Sequence, residues 1–405
     1  MKSISKKVMA GLLVGATSLS IWAPSSQAEA PKNDRYYSIH MKSNPKKVWN
    51  VSQASNDKDR AILLWQGGTA DNEKFAFFQL DGGAYAIVNK NSGKIVTFAD
   101  SGQVSWFSDR SLLGPGSLQQ QSWNGAAKQK WNLRDLGSNN YEIMNQGNGK
   151  VASYAWQGTL ADNVEYVDLD NSNPSDPDKV FKLFDGSGTI LFPGTVIPTP
   201  IGPDSSISVP NLPATGTRPD APNYTGGVDQ QLPQTSNSVV VGASLIPCIM
   251  VNDNQASDYT KIHNSPYYTL VKEEYWDKTF SAVIPAGLTR NYSFKTGMTS
   301  VDQQKMTDTL SMKIGADFGL KFGDATASIK SEISRTLQTE ISTTNTEASE
   351  ETVTSTVISE PGKTTGYTEY QLATKYTLKR ADGSIVSDPW VVKNNKITIA
   401  RKNAQ

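Results

Sequence analysis

The chain has 405 residues, with 39 basic and 39 acidic side chains and a formal net charge of zero. That length holds two or three domains, and the charge balance excludes the electrostatic footprint of a nucleic-acid binder. A single cysteine, Cys248, excludes an internal disulfide, and two histidines far apart in sequence, His40 and His263, argue against a zinc centre.

The N-terminus reads as a secretory signal peptide over residues 1–28. Lys2, Lys6 and Lys7 precede a small and apolar run from Val8 to Ala23, and Ser26-Gln27-Ala28 supplies a small-x-small cleavage site. Secretion from a bacterium follows as an expectation. No other segment has the length and apolarity of a transmembrane helix, so any passage through a membrane would use strands from several copies.

Residues 33–190 contain an internal repeat. Tyr85-Ala-Ile-Val-Asn-Lys-Asn-Ser-Gly-Lys94 matches Tyr141-Glu-Ile-Met-Asn-Gln-Gly-Asn-Gly-Lys150, and the same offset places Phe75 on Trp131. A weaker copy starts at Tyr37 and ends in Lys47-Val48-Trp49. Trp65-Gln-Gly with Ala70-Asp-Asn is echoed by Trp156-Gln-Gly with Ala161-Asp-Asn. Three copies of a short-strand unit suggest pseudo-threefold symmetry. Gln129-Lys130-Trp131, with Glu73-Lys74-Phe75 and Asp178-Lys-Val-Phe181 in the corresponding places, resembles the Gln-x-Trp signature of ricin-type β-trefoil lectins. The resemblance implies that Phe75 and Trp131 belong to the core. It also implies that a sugar stacks on an aromatic ring and is held by amide side chains, because its C–H face is apolar and its hydroxyls need fixed partners. The candidates are Asn50, Trp65, Gln66 and Asn72 in one repeat, and Trp156, Gln157 and Asn163 in another. Asn50 stands where the family usually has Asp, and Lys128 replaces the usual Asn of a third site. For Trp65 and Trp156, core packing is the alternative.

Residues 191–237 are rich in proline, with Gly, Thr, Ser and Asp between. Such a stretch cannot form a central strand. It is a linker or an extended arm lying over the next domain.

Residues 238–405 turn β-rich again. Strands are predicted at Val239–Gly242, Leu245–Val251, Tyr267–Val271, Thr279–Ile284 and Tyr367–Arg380, with Asp382-Gly383 as a turn. Between them, Leu310, Met312, Ile314, Ala316, Phe318, Leu320 and Phe322 occupy every second position. Gly323-Asp324 follows as a two-residue turn, and alternation resumes through Ala325, Ala327 and Ile329. The register pairs Phe322 with Ala325, Leu320 with Ala327, Phe318 with Ile329 and Ile314 with Ile333, all apolar. One face of this hairpin carries Met312, Ile314, Phe318, Leu320, Phe322, Ala325, Ala327 and Ile329. The other carries Lys313, Asp317, Lys321, Thr326, Ser328, Lys330 and Glu332. Helix is the alternative over Lys330–Thr339, against which the β-branched, Ser and Thr residues argue.

Ile246-Pro-Cys-Ile-Met-Val, Ser265-Pro-Tyr-Tyr-Thr-Leu and Tyr275-Trp276 resemble the pore-forming domain of the Bin/Tpp family of bacterial insecticidal toxins. That resemblance implies an all-β chain: an N-terminal β-trefoil, then an elongated aerolysin-like antiparallel β domain with an amphipathic insertion hairpin at about 310–333. It implies a toxin that binds a cell-surface glycan or glycoprotein receptor, forms a homo-oligomer and inserts the hairpin into a lipid membrane, apolar row to lipid and polar row to the lumen. The signal peptide departs from the family, whose members made as intracellular crystals generally lack one, and it is this peptide that points to secretion. A second toxin component is a further partner it offers. No catalytic residue, metal or cofactor is expected. The rival readings are a non-lytic adhesin and a glycan-active enzyme; for the latter, Glu273-Glu274 and Glu347–Glu351 are the acidic clusters, read as solvated.

Overall fold

The computed structural model describes residues 29–67, 69–107, 112–158, 163–186, 190–192, 195–197 and 205–405; the signal-peptide reading lies outside them. Among the described residues the chain is mostly strand, as expected, with three short α-helices in the second half.

The repeats fold as three equivalent units. In each, a short 3-10 turn delivers a large ring into the centre: Asp71–Glu73 before Phe75, Ala127–Gln129 before Trp131, and Pro177–Lys179 before Phe181. All three rings are fully buried, with Trp49 edge-on to Phe75 and Phe181 at 6.1 and 5.5 Å. The matched decapeptides form the same turn. Asn89 N–H bonds to Lys94 O and Gly93 N–H to Asn89 O, while Asn145 and Gly149 repeat both bonds with Lys150 and Asn145. Gly93 and Gly149 hold φ of +68° and +71°, which explains glycine in both copies.

The second domain is one antiparallel sheet in the order Val239–Pro247, Tyr267–Ile284, Thr365–Lys379, Trp390–Ala404, Thr289–Met298, Glu351–Ile358. The segments expected as separate strands at 267–271 and 279–284 are one strand of 18 residues, roughly 60 Å long at ~3.3 Å per residue. Its length lets the domain extend without a thick core; small clusters stand along it, such as Ile284, Tyr292, Val357 and Tyr367.

The proline-rich stretch is an arm rather than a free linker. Ala221 and Leu232 pack on Trp276, Tyr370 and Leu372, and the Trp276 indole and Tyr370 hydroxyl donate to the carbonyls of Pro219 and Pro233 at 2.8 and 2.7 Å. The two domains share a core. Tyr36, Phe78, Leu80 and Val88 of the trefoil cluster with Ile246, Cys248, Met250 and Tyr267.

The 310–333 hairpin differs from expectation. Its first arm turns early: Met312–Ile314 pairs with Leu320–Phe322, Met312 opposite Phe322 and Ile314 opposite Leu320. The turn is Gly315–Gly319, where Gly315 N–H bonds to Gly319 O at 2.9 Å and Phe318 adopts φ +64°. Glycine is required at 319, because a Cβ there would lie 2.8 Å from the Ser342 amide nitrogen. Gly323-Asp324 is not a hairpin turn here; it leads into a 3-10 turn at Ala327–Ile329 and the helix Lys330–Leu337. Ala325, Ala327 and Ile329 are therefore not in a strand, and Thr326 and Ser328 are buried rather than on a wet face. The physical reason lies in the spacing. Ile329, Ile333 and Leu337 are four apart, which fits both a strand face and a helix face. Ser331 and Arg335 break the strand pattern but not the helical one, and all three apolar residues are buried. A further helix, Ser300–Leu310, starts at Thr299, whose hydroxyl accepts from Asp302 N–H.

Candidate functional site

Two places carry unusual chemistry. The first is an open pocket of about 320 Å³ on the trefoil, lined by Asn50, Ser52, Gln53, Ala54, Leu63, Trp65, Asn72, Trp106 and Phe107. Trp65 is the penultimate residue of the strand Arg60–Gln66, opposite Val48, and is 60% exposed. Phe107 is 59% exposed and tilts against Trp106 with centroids 5.9 Å apart. Two large rings left in water beside buried amides are surface rings rather than core, which makes this pocket a candidate site. Asn50 donates from Nδ2 to Glu73 Oε1 at 3.0 Å, and Asn72 donates to Val51 O at 2.9 Å. Both amides are thus held in place, with remaining polar capacity available to a ligand. Gln53 and Ala54 on the rim adopt positive φ without being glycine (57° and 49°), a strained backbone of the kind that gathers at binding sites.

Asn50, Trp65 and Asn72 are therefore brought together; Gln66, the next residue along the strand from Trp65, does not line the pocket. Trp106 and Phe107 were missed. They stand in the neighbouring repeat, and the signal that could have found them is an adjacent aromatic pair in a polar stretch.

Trp156, Gln157 and Asn163 are not the equivalent set. Trp156 lies on the first strand of its hairpin, Val151–Gly158, whereas Trp65 lies on the second strand of its own. Trp156 is 58% exposed. It lies over Gly158, where a Cβ would meet the ring at 2.4 Å and Asn163 Oδ1 at 2.9 Å. Gln157 turns away and donates to Leu112 O at 3.2 Å. Where the third site would stand, Lys128 is paired with Asp100 at 2.5 Å.

The second place is the segment 299–350, which connects the two strands of a ribbon, Thr289–Met298 and Glu351–Ile358. Met312, Ile314 and Leu320 are fully buried. The alternating polar row is met by residues 342–347. Lys313 pairs with Glu347 at 2.5 Å, Lys321 donates to Asn345 O at 2.9 Å, and these contacts relieve the direct opposition of the two lysines across the small hairpin. Desolvation opposes the charge on Asp317, but bonds from Ser342 Oγ, Thr343 N–H and Gly319 N–H hold its carboxyl at about 2. A depressed carboxyl contributes stability above its ordinary range that is lost as pH falls through the folded value. Wild type and Asp317→Asn should therefore differ in urea midpoint at pH 7, and the gap should close between about pH 4 and pH 2. A gap that persists at pH 2 would refute this role.

Glu273 is paired with Lys375, and Glu274 with Arg218 and Lys272. As neighbours on one strand the two point to opposite faces. Among the described residues no group of acidic, His and Cys side chains could hold a metal, and no helix is long and apolar enough to cross a membrane.

Comparison with known proteins gives a match in each half of the chain. Residues 239–402 match the family described as insecticidal crystal toxin, P42, and residues 22–107 and 71–167 match the ricin-type β-trefoil lectin domain-like family. The chain is 38% identical over 197 residues to the binary larvicide subunit BinA of Lysinibacillus sphaericus, covering 48% of this chain and 53% of the relative. It is 35% identical over 185 residues to the BinB subunit of the same organism, covering 45% and 41%. The insecticidal crystal protein Cry35Ab1 of Bacillus thuringiensis is 24% identical over 321 residues, covering 76% and 70%. Over the matched regions the chain spans about half the length of the binary larvicide subunits, 53% and 41%. The crystal structure of Cry35Ab1 superposes with a TM-score of 0.72 at 20% identity, covering 92% of this chain and 90% of that one, and shows that the fold is shared.

Proposed function

We propose, for a chain whose residues 239–402 match the insecticidal crystal toxin family and whose N-terminal part matches the ricin-type lectin domain-like family, an insecticidal toxin component that binds a surface glycan through the Trp65 pocket, oligomerises, and inserts a β-hairpin as part of a membrane barrel. BinA and BinB are subunits of a binary larvicide, so a second toxin component belongs to the proposal. It acts as a secreted protein at the membrane of the target cell, without catalysis.

The observation that carries the pore-forming part is a register. The ribbon pairs Thr289 with Ile358 and steps without slip to Thr296 with Glu351. Continued residue by residue into the connecting segment, that same register brings Ile314 opposite Ile333, Phe318 opposite Ile329, Leu320 opposite Ala327 and Phe322 opposite Ala325. Gly323-Asp324 becomes the tip. This is the pairing that the apolar alternation independently demands. The ribbon's apolar residues Tyr292, Phe294, Val353 and Val357 fall on the same face as the apolar row of the hairpin, separated from it by a mostly polar stretch in which Ser300, Asp302, Gln304 and Asp308 stand opposite Glu347, Asn345, Thr343 and Thr339. The sequence thus supports two states: a tucked one with helices at 300–310 and 330–337, and a zipped one in which both helices become strand and the ribbon lengthens. In lipid the zipped strands must close into a barrel, because unpaired backbone groups there are too costly. The row Met312, Ile314, Phe318, Leu320, Phe322, Ala325, Ala327 and Ile329 then faces lipid. Lys313, Asp317, Lys321, Thr326, Ser328, Lys330 and Glu332 line the lumen.

The test is dye release from liposomes that carry glycolipid extracted from insect gut membranes, with and without a partner component. Wild type should release dye, and Trp65→Ala should need about tenfold more protein, equivalent to ~1.4 kcal/mol of lost stacking. Plain liposomes at high protein concentration should leak equally with both. Binding to cells without permeabilisation under every condition would leave an adhesin in place of a pore-former.

A further inference from the structure

The segment that must leave the second domain to zip is held by the trefoil as well as by its own domain. The Trp123 indole N–H donates to the Ala325 carbonyl across 2.8 Å. The helix Lys330–Leu337 has no side-chain cap of its own. The trefoil supplies one: Ser331 N–H donates to Asp81 Oδ2 at 3.1 Å, which also sets a carboxylate at the positive end of the helix. Gly125 lies so close that a Cβ would stand 2.0 Å from the Asp324 carbonyl oxygen. Trp123, Phe78 and Leu80 share an apolar cluster with Ile329. None of these trefoil residues lines the Trp65 pocket.

We infer that the trefoil is an autoinhibitory latch on the insertion segment: it pins residues 324–331 in the soluble form, and its displacement frees them. The inference rests on the pore-forming reading. What distinguishes a latch from an ordinary interdomain contact is where it grips. The held residues adjoin Gly323-Asp324, the tip in the zipped register, and Asp81 caps the one helix that must melt before the second arm can extend. One domain thereby reads the cell surface and restrains the element that acts on it, so an encounter that tilts the trefoil releases the hairpin at the membrane.

The test joins the two sides covalently in the full-length protein carrying Asp81→Cys and Ser331→Cys. The native thiol does not interfere, since Cys248 is buried and burial pushes its pKa up to about 12. With the new disulfide confirmed by mass, the oxidised protein should bind target membranes as wild type does but release dye at least ~20-fold more slowly, and a reductant should restore release. Equal release from oxidised and reduced protein overturns the latch. A second measurement needs no pore. In Trp123→Phe with Asp81→Asn, amide exchange over residues 324–337 should quicken about tenfold while the trefoil core keeps its protection. Unchanged exchange over 324–337 overturns the grip itself. Should wild type release no dye at all, the pore-forming reading falls separately, and the exchange result alone decides whether the trefoil holds the segment.

Discussion

Phe318→Asp is expected to abolish dye release while leaving the soluble protein folded. In the tucked form Phe318 sits at φ +64° in the Gly315–Gly319 turn, half-buried, with the Lys396 ammonium 6.0 Å from its ring centroid. A bulky residue at positive φ is strained, and Asp tolerates that region better. The lost packing is offset in part by relief of this strain, so the soluble stability should shift by no more than ~1–2 kcal/mol. The zipped form behaves oppositely. There Phe318 stands mid-row opposite Ile329, and a carboxylate at that depth costs up to a few kcal/mol in each strand pair, repeated in every subunit of the ring. Release should fall by more than ~100-fold. Phe318→Leu, which keeps the row apolar, should release dye like wild type. Undiminished leakage from a folded Phe318→Asp would refute the assigned lipid face.

How much of this was legible in the sequence depends on whether a local pattern had one structural meaning. The matched decapeptides at 85–94 and 141–150 encode a single turn with glycine at positive φ, and the trefoil follows from them. The Gln129-Lys130-Trp131 position and its two degenerate copies mark one buried ring per repeat, because a fully buried aromatic residue must recur wherever the symmetry recurs. The Trp-Gln-Gly echo at 65 and 156 misleads, since its offset differs from that of the true repeat and its two copies fall on different strands of the unit. The pocket was half legible. Asn50, Trp65 and Asn72 follow from the resemblance to ricin-type lectins, whereas Trp106 and Phe107 come from an adjacent repeat whose approach only the folded chain reveals. The segment 310–337 was ambiguous for a physical reason: apolar residues four apart satisfy a strand and a helix alike. The tucked form uses the helical reading at 329–337, and the register of the ribbon supports the other.

The largest loss of soluble stability is expected from Asp253→Ala. The Asp253 side chain is fully buried and receives a two-pronged bond from Arg380, Nε to Oδ2 at 2.7 Å and an Nη to Oδ1 at 2.9 Å, with the Tyr268 hydroxyl adding a third at 3.0 Å. Burial opposes the charge, yet these donors and the Gln255 amide hold the carboxyl below its ordinary range. The clamp ties the loop after Val251 to the turn at 380–385, where Arg380 also reaches the Ile385 carbonyl at 2.8 Å. Removing the carboxylate takes the counter-charge from a guanidinium that is 15% exposed, leaving it only neutral acceptors such as the Ile385 carbonyl, and leaves the buried Tyr268 hydroxyl without its acceptor. Breaking a buried pair from one side costs about 3–5 kcal/mol, far more than the pair contributes over an apolar replacement. For a domain of this size that lowers the thermal midpoint by roughly 6–20 °C. Asp253→Asn keeps one acceptor for Arg380 and should fall between, and Arg380→Lys should lose the second prong but keep a charge near the carboxylate. Thermal unfolding followed by circular dichroism orders the three variants. A midpoint for Asp253→Ala within 2 °C of wild type, an interval that corresponds to only about 0.5–1 kcal/mol, would mean that the loop after Val251 is held by the shared core around Cys248 and Met250 instead.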